Sequence, residues 1–187
     1  MLAAKVLHHR SVREDNAEAQ RLLDRALALD PDYAHAHAWK ACVLGQTWVH
    51  EWCADRDATF QQVAAELETA LALDDNDSDV HRILAALNLM RDDLDKAAYH
   101  QERALALNPN YDLVVVQQGE LLTWLGRPEE GIDWIRKAMR LNPYLEPSRA
   151  RLLLRGELRR SRRGLLADHT ARPHASCLPR GHVRADG

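Results

Sequence analysis

A nine-residue segment of this chain returns almost unchanged 78 residues later, Arg25-Ala26-Leu27-Ala28-Leu29-Asp30-Pro31-Asp32-Tyr33 against Arg103-Ala104-Leu105-Ala106-Leu107-Asn108-Pro109-Asn110-Tyr111. Looser copies stand at Thr69 to Asp75 and at Lys137 to Pro143, so Asp75, Pro109 and Pro143 follow one another at steps of 34 residues. A fixed period of this length marks a solenoid of stacked helix pairs. The step from Pro31 to Asp75 is 44 residues, the same unit with ten added, which places one insertion near residues 46 to 57.

Local chemistry agrees with the period. Apolar residues fall three and four apart, as at Leu22, Leu23, Ala26, Leu27 and Leu29, between turn signals, and no segment alternates as a strand would. Gly126 suits the left-handed residue that ends a helix, Pro128 suits the first turn of the next, and Glu129 and Glu130 favour its positive end. With 46% apolar residues but a single phenylalanine, the core must be built from Leu, Ala, Val and Trp.

These units resemble the tetratricopeptide repeat, whose motif places small residues where two helices touch and a proline after the second helix. The unit from Asp112 to Pro143 matches at Gly119, Leu122, Leu125-Gly126-Arg127-Pro128, Ala138 and Pro143. The unit from Ser78 to Pro109 matches at Leu84, Ala85, Ala97, Ala104 and Pro109, with Asp92 in place of the turn glycine. The unit starting at Ala34 keeps Ala41, Leu44-Gly45 and Ala70 around its insertion, and Met1 to Pro31 reads as a unit lacking the start of its first helix. The resemblance implies an all-α fold, a right-handed superhelical solenoid of antiparallel helix pairs over residues 1–145, and a non-catalytic scaffold that binds a protein or peptide in its concave groove.

Transferred unit by unit, the groove-facing positions are His35, Trp39 and Cys42, then Arg82, Ala86 and Met90, then Val116, Glu120 and Trp124. Aromatic, Met and Arg side chains suit peptide anchoring, but at helical spacing they also suit a core, and for Trp39 and Trp124 both readings stay open. The clamp by which some co-chaperones of the family hold a terminal carboxylate is absent, because its positions read Ala38, Cys42, Leu113 and Val116-Gln117. In the insertion, Trp48 and Trp52 stand one helical turn apart, so a lengthened first helix would present both on one face, packed over the neighbouring pair or offered to a partner.

Charge divides the chain. Residues 1 to 144 carry a net −9 and residues 145 to 187 a net +6, together the −3 of the whole. The repeat pattern stops at Tyr144, and beyond it the composition turns to Arg, Gly, Pro and Ala, as expected when a GC-rich gene is read out of frame. Residues 146–165 can still form a terminal or capping helix through Leu152, Leu153, Leu154 and Leu158, while residues 166–187 read as a disordered tail. An arginine arm for nucleic acid is the disfavoured alternative, and it predicts binding that falls steeply with salt.

Nothing in the sequence spells out an active site. Phosphate-loop, nucleophile-elbow, dinucleotide and His-Glu-x-x-His motifs are all missing, so neither an enzyme nor a cofactor is expected. The carboxylate runs Asp74-Asp75-Asn76-Asp77 and Asp92-Asp93-Leu94-Asp95 fall at turns, where they would cap helices. No metal site is expected either; Cys42, His50 and Cys53 form the least implausible ligand set, and helix packing of Cys42 is the plainer role. No apolar stretch approaches a membrane span, no signal peptide is seen, and three unpatterned cysteines fit reduced thiols, so the chain reads as cytoplasmic. Finally, Ser11-Val12-Arg13-Glu14-Asp15-Asn16-Ala17, together with Lys137 to Tyr144, resembles repeat arrays downstream of bacterial class III nucleotide cyclases and related regulators. That likeness implies the regulatory part of a larger signalling protein.

Overall fold

The computed structural model describes residues 1–143, and the expectations for the capping helix, the tail and the arginine arm lie outside them. Eight helices run through the described residues: α1 (Leu2–His9), α2 (Arg13–Leu29), α3 (Ala34–Val49), α4 (Arg56–Leu73), α5 (Ser78–Met90), α6 (Leu94–Leu107), α7 (Asp112–Trp124) and α8 (Pro128–Leu141). They pair as α1 with α2, α3 with α4, α5 with α6 and α7 with α8, and the first helices stack, α3 on α5 and α5 on α7. The result is an all-α solenoid. Its second helices end at Leu29, Leu73, Leu107 and Leu141, in step with the repeat read from the sequence.

Small residues let the helices of a pair approach. Ala41, Ala70, Ala97, Ala104 and Ala138 are fully buried, and Leu23, Leu67 and Ile135 fill the spaces around them. Gly119 and Gly131 mark the tightest point: a Cβ on Gly119 would lie 2.7 Å from the Gly131 carbonyl oxygen, and one on Gly131 would lie 2.6 Å from that of Gly119. Only hydrogen fits there.

The turns within pairs share one geometry. Ser11, Glu51, Asp92 and Gly126 all take positive φ, although only one is glycine. After Glu51, Asp92 and Gly126 the chain closes a Schellman motif, in which Trp52, Asp93 and Arg127 donate N–H bonds to the Thr47, Asn88 and Leu122 carbonyls. The acidic runs then begin the next helices, with Asp77 accepting from the Asp79 amide at 2.7 Å and Asp93 from that of Lys96 at 3.2 Å.

The insertion corrects one expectation. The first helix does not run on through Trp52: α3 stops at Val49 and Glu51 turns the chain. Trp48 packs against Phe60 with ring centroids 5.5 Å apart and has the Arg56 guanidinium over its ring, while Trp52 stacks on His50 at 4.6 Å. The ten extra residues are thus shared between a longer α3, the loop and the start of α4, and the two indoles do not share a helical face.

Side-chain amides bind the pairs to one another. Asn16 of α2 donates to the Val43 carbonyl at 3.2 Å, Gln101 of α6 to that of Val114 at 2.8 Å, and Gln117 of α7 to that of Arg82 at 2.6 Å. Each bond crosses from one repeat to the next, where apolar contact alone would leave the register less sharply set.

Candidate functional site

The first helices α1, α3, α5 and α7 surround a cavity of about 650 Å³. Its walls are part apolar, with Ala86 and Met90 from α5 and Leu113 and Val116 from α7, and part polar, with His8, Cys42, Gln46, Arg82 and Glu120. A cavity of this size and character falls in the range that holds small ligands or a few side chains of a peptide.

Behind it lies a buried ion-pair network centred on Asp79. One carboxylate oxygen accepts from Arg82 Nε at 2.8 Å; the other accepts from Trp39 Nε1 at 2.9 Å, with Lys5 Nζ and the Tyr111 hydroxyl each at 3.5 Å. Burial alone would raise the carboxyl of Asp79, but the guanidinium of Arg82 and the ammonium of Lys5 outweigh it and hold the group below its usual range. The same burial, helped by the Asp79 charge, pushes the Tyr111 phenol up. Arg82 turns two ways: Nε faces Asp79, while Nη2 is buried without a hydrogen-bond partner among the described residues.

At the α1 side of the cavity, Cys42 Sγ lies 3.5 Å from His8 Nε2. Burial pushes this thiol up, yet the His8 charge and hydrogen bond, with a further contribution from Arg82, bring it down to about 7. His8 responds in kind: burial lowers it, but Cys42 more than compensates and leaves it raised.

A helical solenoid of paired helices with small residues at their crossings has known counterparts among solved structures. The chain is similar to pilF of Pseudomonas aeruginosa at 21% identity and a TM-score of 0.54, over 91% of this chain and 78% of that one. It is similar to TTC0263, a thermophilic TPR protein of Thermus thermophilus, at 17% identity and a TM-score of 0.50, over 83% of this chain and all of that one. The fold is a tetratricopeptide-repeat solenoid. A MamA protein gives the same result, with a TM-score of 0.50 at 17% identity over 95% of this chain and 98% of that one. No family model and no curated protein matches the sequence.

Six of the nine residues assigned to the groove of this repeat array line the cavity: Cys42, Arg82, Ala86, Met90, Val116 and Glu120. The other three do not. Trp39 is fully buried in the core with Leu23 and Val43, its indole N–H given to Asp79. Trp124 packs against the cluster of Leu89, Ala97 and Leu121 at the far end of the first helices. His35 sits at the start of α3, hydrogen-bonded through Nδ1 to Asp77.

His35, Asp77 and Asp79 are the group among the described residues whose ligand atoms converge enough for a cation, all within 4.8 Å of one another. Asp79 already meets Arg82 and Lys5, so the charge a metal would bring is supplied by the protein. Cys42, His50 and Cys53 make no such group among the described residues, since Cys42 faces His8 and His50 faces Trp52. Sequence reasoning missed His8 and Asp79. The available signal was position: both fall on first helices, the elements expected to line the groove.

Proposed function

We propose that this chain is a non-catalytic scaffold that binds a protein or peptide segment in the cavity formed by its first helices. The observation that supports the reading most directly is the cavity itself, which gathers the apolar Ala86, Met90 and Val116 beside the polar groups Arg82, Gln46 and Glu120. Apolar surface supplies affinity to an inserted side chain, while polar groups at fixed positions select its neighbours. Repeat arrays suit such use because their neighbouring units share one continuous face.

Selection from a displayed peptide library, followed by titration of the best binder, tests the proposal. Ala86→Arg and Met90→Glu, both at accessible cavity positions, are expected to weaken binding by about tenfold or more, the loss of roughly one anchor. Leu29→Glu, 89% exposed and away from the cavity, should leave affinity unchanged. Equal affinity in all three variants would remove the cavity as the binding site.

A finer reading rests on the likeness of Ser11–Ala17 and Lys137–Tyr144 to cyclase-linked arrays, which supports a regulatory role within a signalling protein. Sequencing the locus with its flanking DNA tests it. A cyclase or regulator frame continuous with the array supports this reading, and unrelated neighbours remove it.

A further inference from the structure

We propose that Cys42 is a modification site: its sulfur, paired with His8 at the cavity wall, takes up a low-molecular-weight disulfide bearing a carboxylate, which Arg82 receives. Three observations converge on this reading. Cys42 is a free thiol that packs against the edge of two core clusters and also lines the cavity. His8 Nε2 stands 3.5 Å from its sulfur, a ring nitrogen placed to stabilise a thiolate. Independently, Arg82 lines the same cavity with only 8% of its surface exposed, and its buried Nη2 has no hydrogen-bond partner among the described residues. Buried guanidinium N–H groups are ordinarily matched, and a planar carboxylate is the partner they fit best.

The step is thiol–disulfide exchange. The Cys42 thiolate attacks one sulfur of the incoming disulfide, that S–S bond breaks, and a mixed disulfide forms on Cys42. The second sulfur departs with the electron pair as a thiolate, so Cys42 is oxidised and the leaving thiol is reduced, and a reducing thiol reverses the reaction. The adduct would occupy the space assigned above to a peptide. That consequence rests on the groove reading, whereas the exchange itself does not.

The test uses the full chain with Cys53→Ser and Cys177→Ser, so that Cys42 alone reports, and dithionitrobenzoate as the carboxylate-bearing disulfide, followed by its released thiolate. With the thiol brought down to about 7, the rate should reach half its plateau near pH 7. At that pH the gain in thiolate over an ordinary cysteine is about 15-fold, and the weaker nucleophilicity of a more acidic thiol returns about fivefold of it, leaving a net gain of about threefold. In a His8→Gln variant with unchanged circular dichroism the midpoint should move up into the ordinary thiol range. A merely structural histidine would leave it where it was. Dipyridyl disulfide, which carries no charge at neutral pH, should react with less advantage than dithionitrobenzoate when each is normalised to free cysteine, and salt should narrow the gap. A midpoint in the ordinary thiol range for the parent chain, or one indifferent to His8→Gln, overturns the proposal. Equal normalised rates for the two disulfides overturn the role of Arg82. Because no peptide is present, these outcomes are separate from any failure of the groove reading.

Discussion

Where α7 crosses α8, two glycines let the helices meet backbone to backbone, with Ile135 and Thr123 closing around them. Where the first helices α1, α3, α5 and α7 converge, the space is filled instead by the Asp79 carboxylate and its donors from Lys5, Trp39, Arg82 and Tyr111. The first contact is local, formed between helices joined by one turn, and its strength lies in fit. The second gathers residues from three helices and the N-cap of a fourth, and balances charge against desolvation. A buried network of this kind contributes little net stability when complete, but it is costly when broken, because the groups left behind are charged and dry.

That contrast sets the expected order of effects. Asp79→Ala should be the most damaging, about 3 to 5 kcal/mol by chemical denaturation, because Arg82 would lose its carboxylate while remaining buried. The same site gives a pH signature. The Asp79 carboxyl is held below its ordinary range, so its contribution is complete above about pH 4 and is lost as pH falls through the folded-state value. An Asp79→Asn chain, already weaker at neutral pH, should lose less over that acid range than the parent. Comparable acid sensitivity in the two would mean that this network does not govern acid unfolding.

Gly119→Ala comes next. Its Cβ would meet the Gly131 oxygen at 2.7 Å and Ile135 Cγ1 at 2.8 Å, and backbone cannot yield as a flexible side chain can. Overpacking of this order costs about 1 to 3 kcal/mol. A Tm unchanged in this variant would show that the α7–α8 crossing can open without penalty, and the contrast drawn above would fail.

The smallest effect has the opposite sign. Asp92 occupies the left-handed position that Gly126 fills one repeat later, at φ 59 against φ 80. Asp92→Gly should therefore stabilise the chain by up to about 1 kcal/mol, since a side chain is strained there and glycine is not. A loss on substitution would indicate that the Asp92 side chain contributes more than its backbone conformation costs.

The repeat made the solenoid legible because each helix pair is held by residues close in sequence, and the same small residues recur at each crossing. Ala85, Ala104, Gly119 and Ala138 could be assigned to helix contacts from spacing, and all four are buried. The turn at Gly126 followed from the conformation only glycine adopts freely. The insertion was legible in length but not in shape, because spacing alone does not reveal that Glu51 turns the chain before Trp52. Period also placed Cys42, Arg82, Ala86, Met90, Val116 and Glu120 on one side, where they line the cavity.

The sequence by itself thus determined the helix pairs, their small-residue crossings and the set of helices that shares a face, since those depend on interactions within a repeat and with its immediate neighbour. Only the tertiary structure decided that Trp39 lies in the core giving its N–H to Asp79, that His8 meets Cys42, and that Arg82 has one nitrogen on Asp79 and another without a partner among the described residues. These pairs join residues 34 and 40 positions apart on different helices, and helical periodicity fixes the face a side chain occupies but not the partner it finds across the groove.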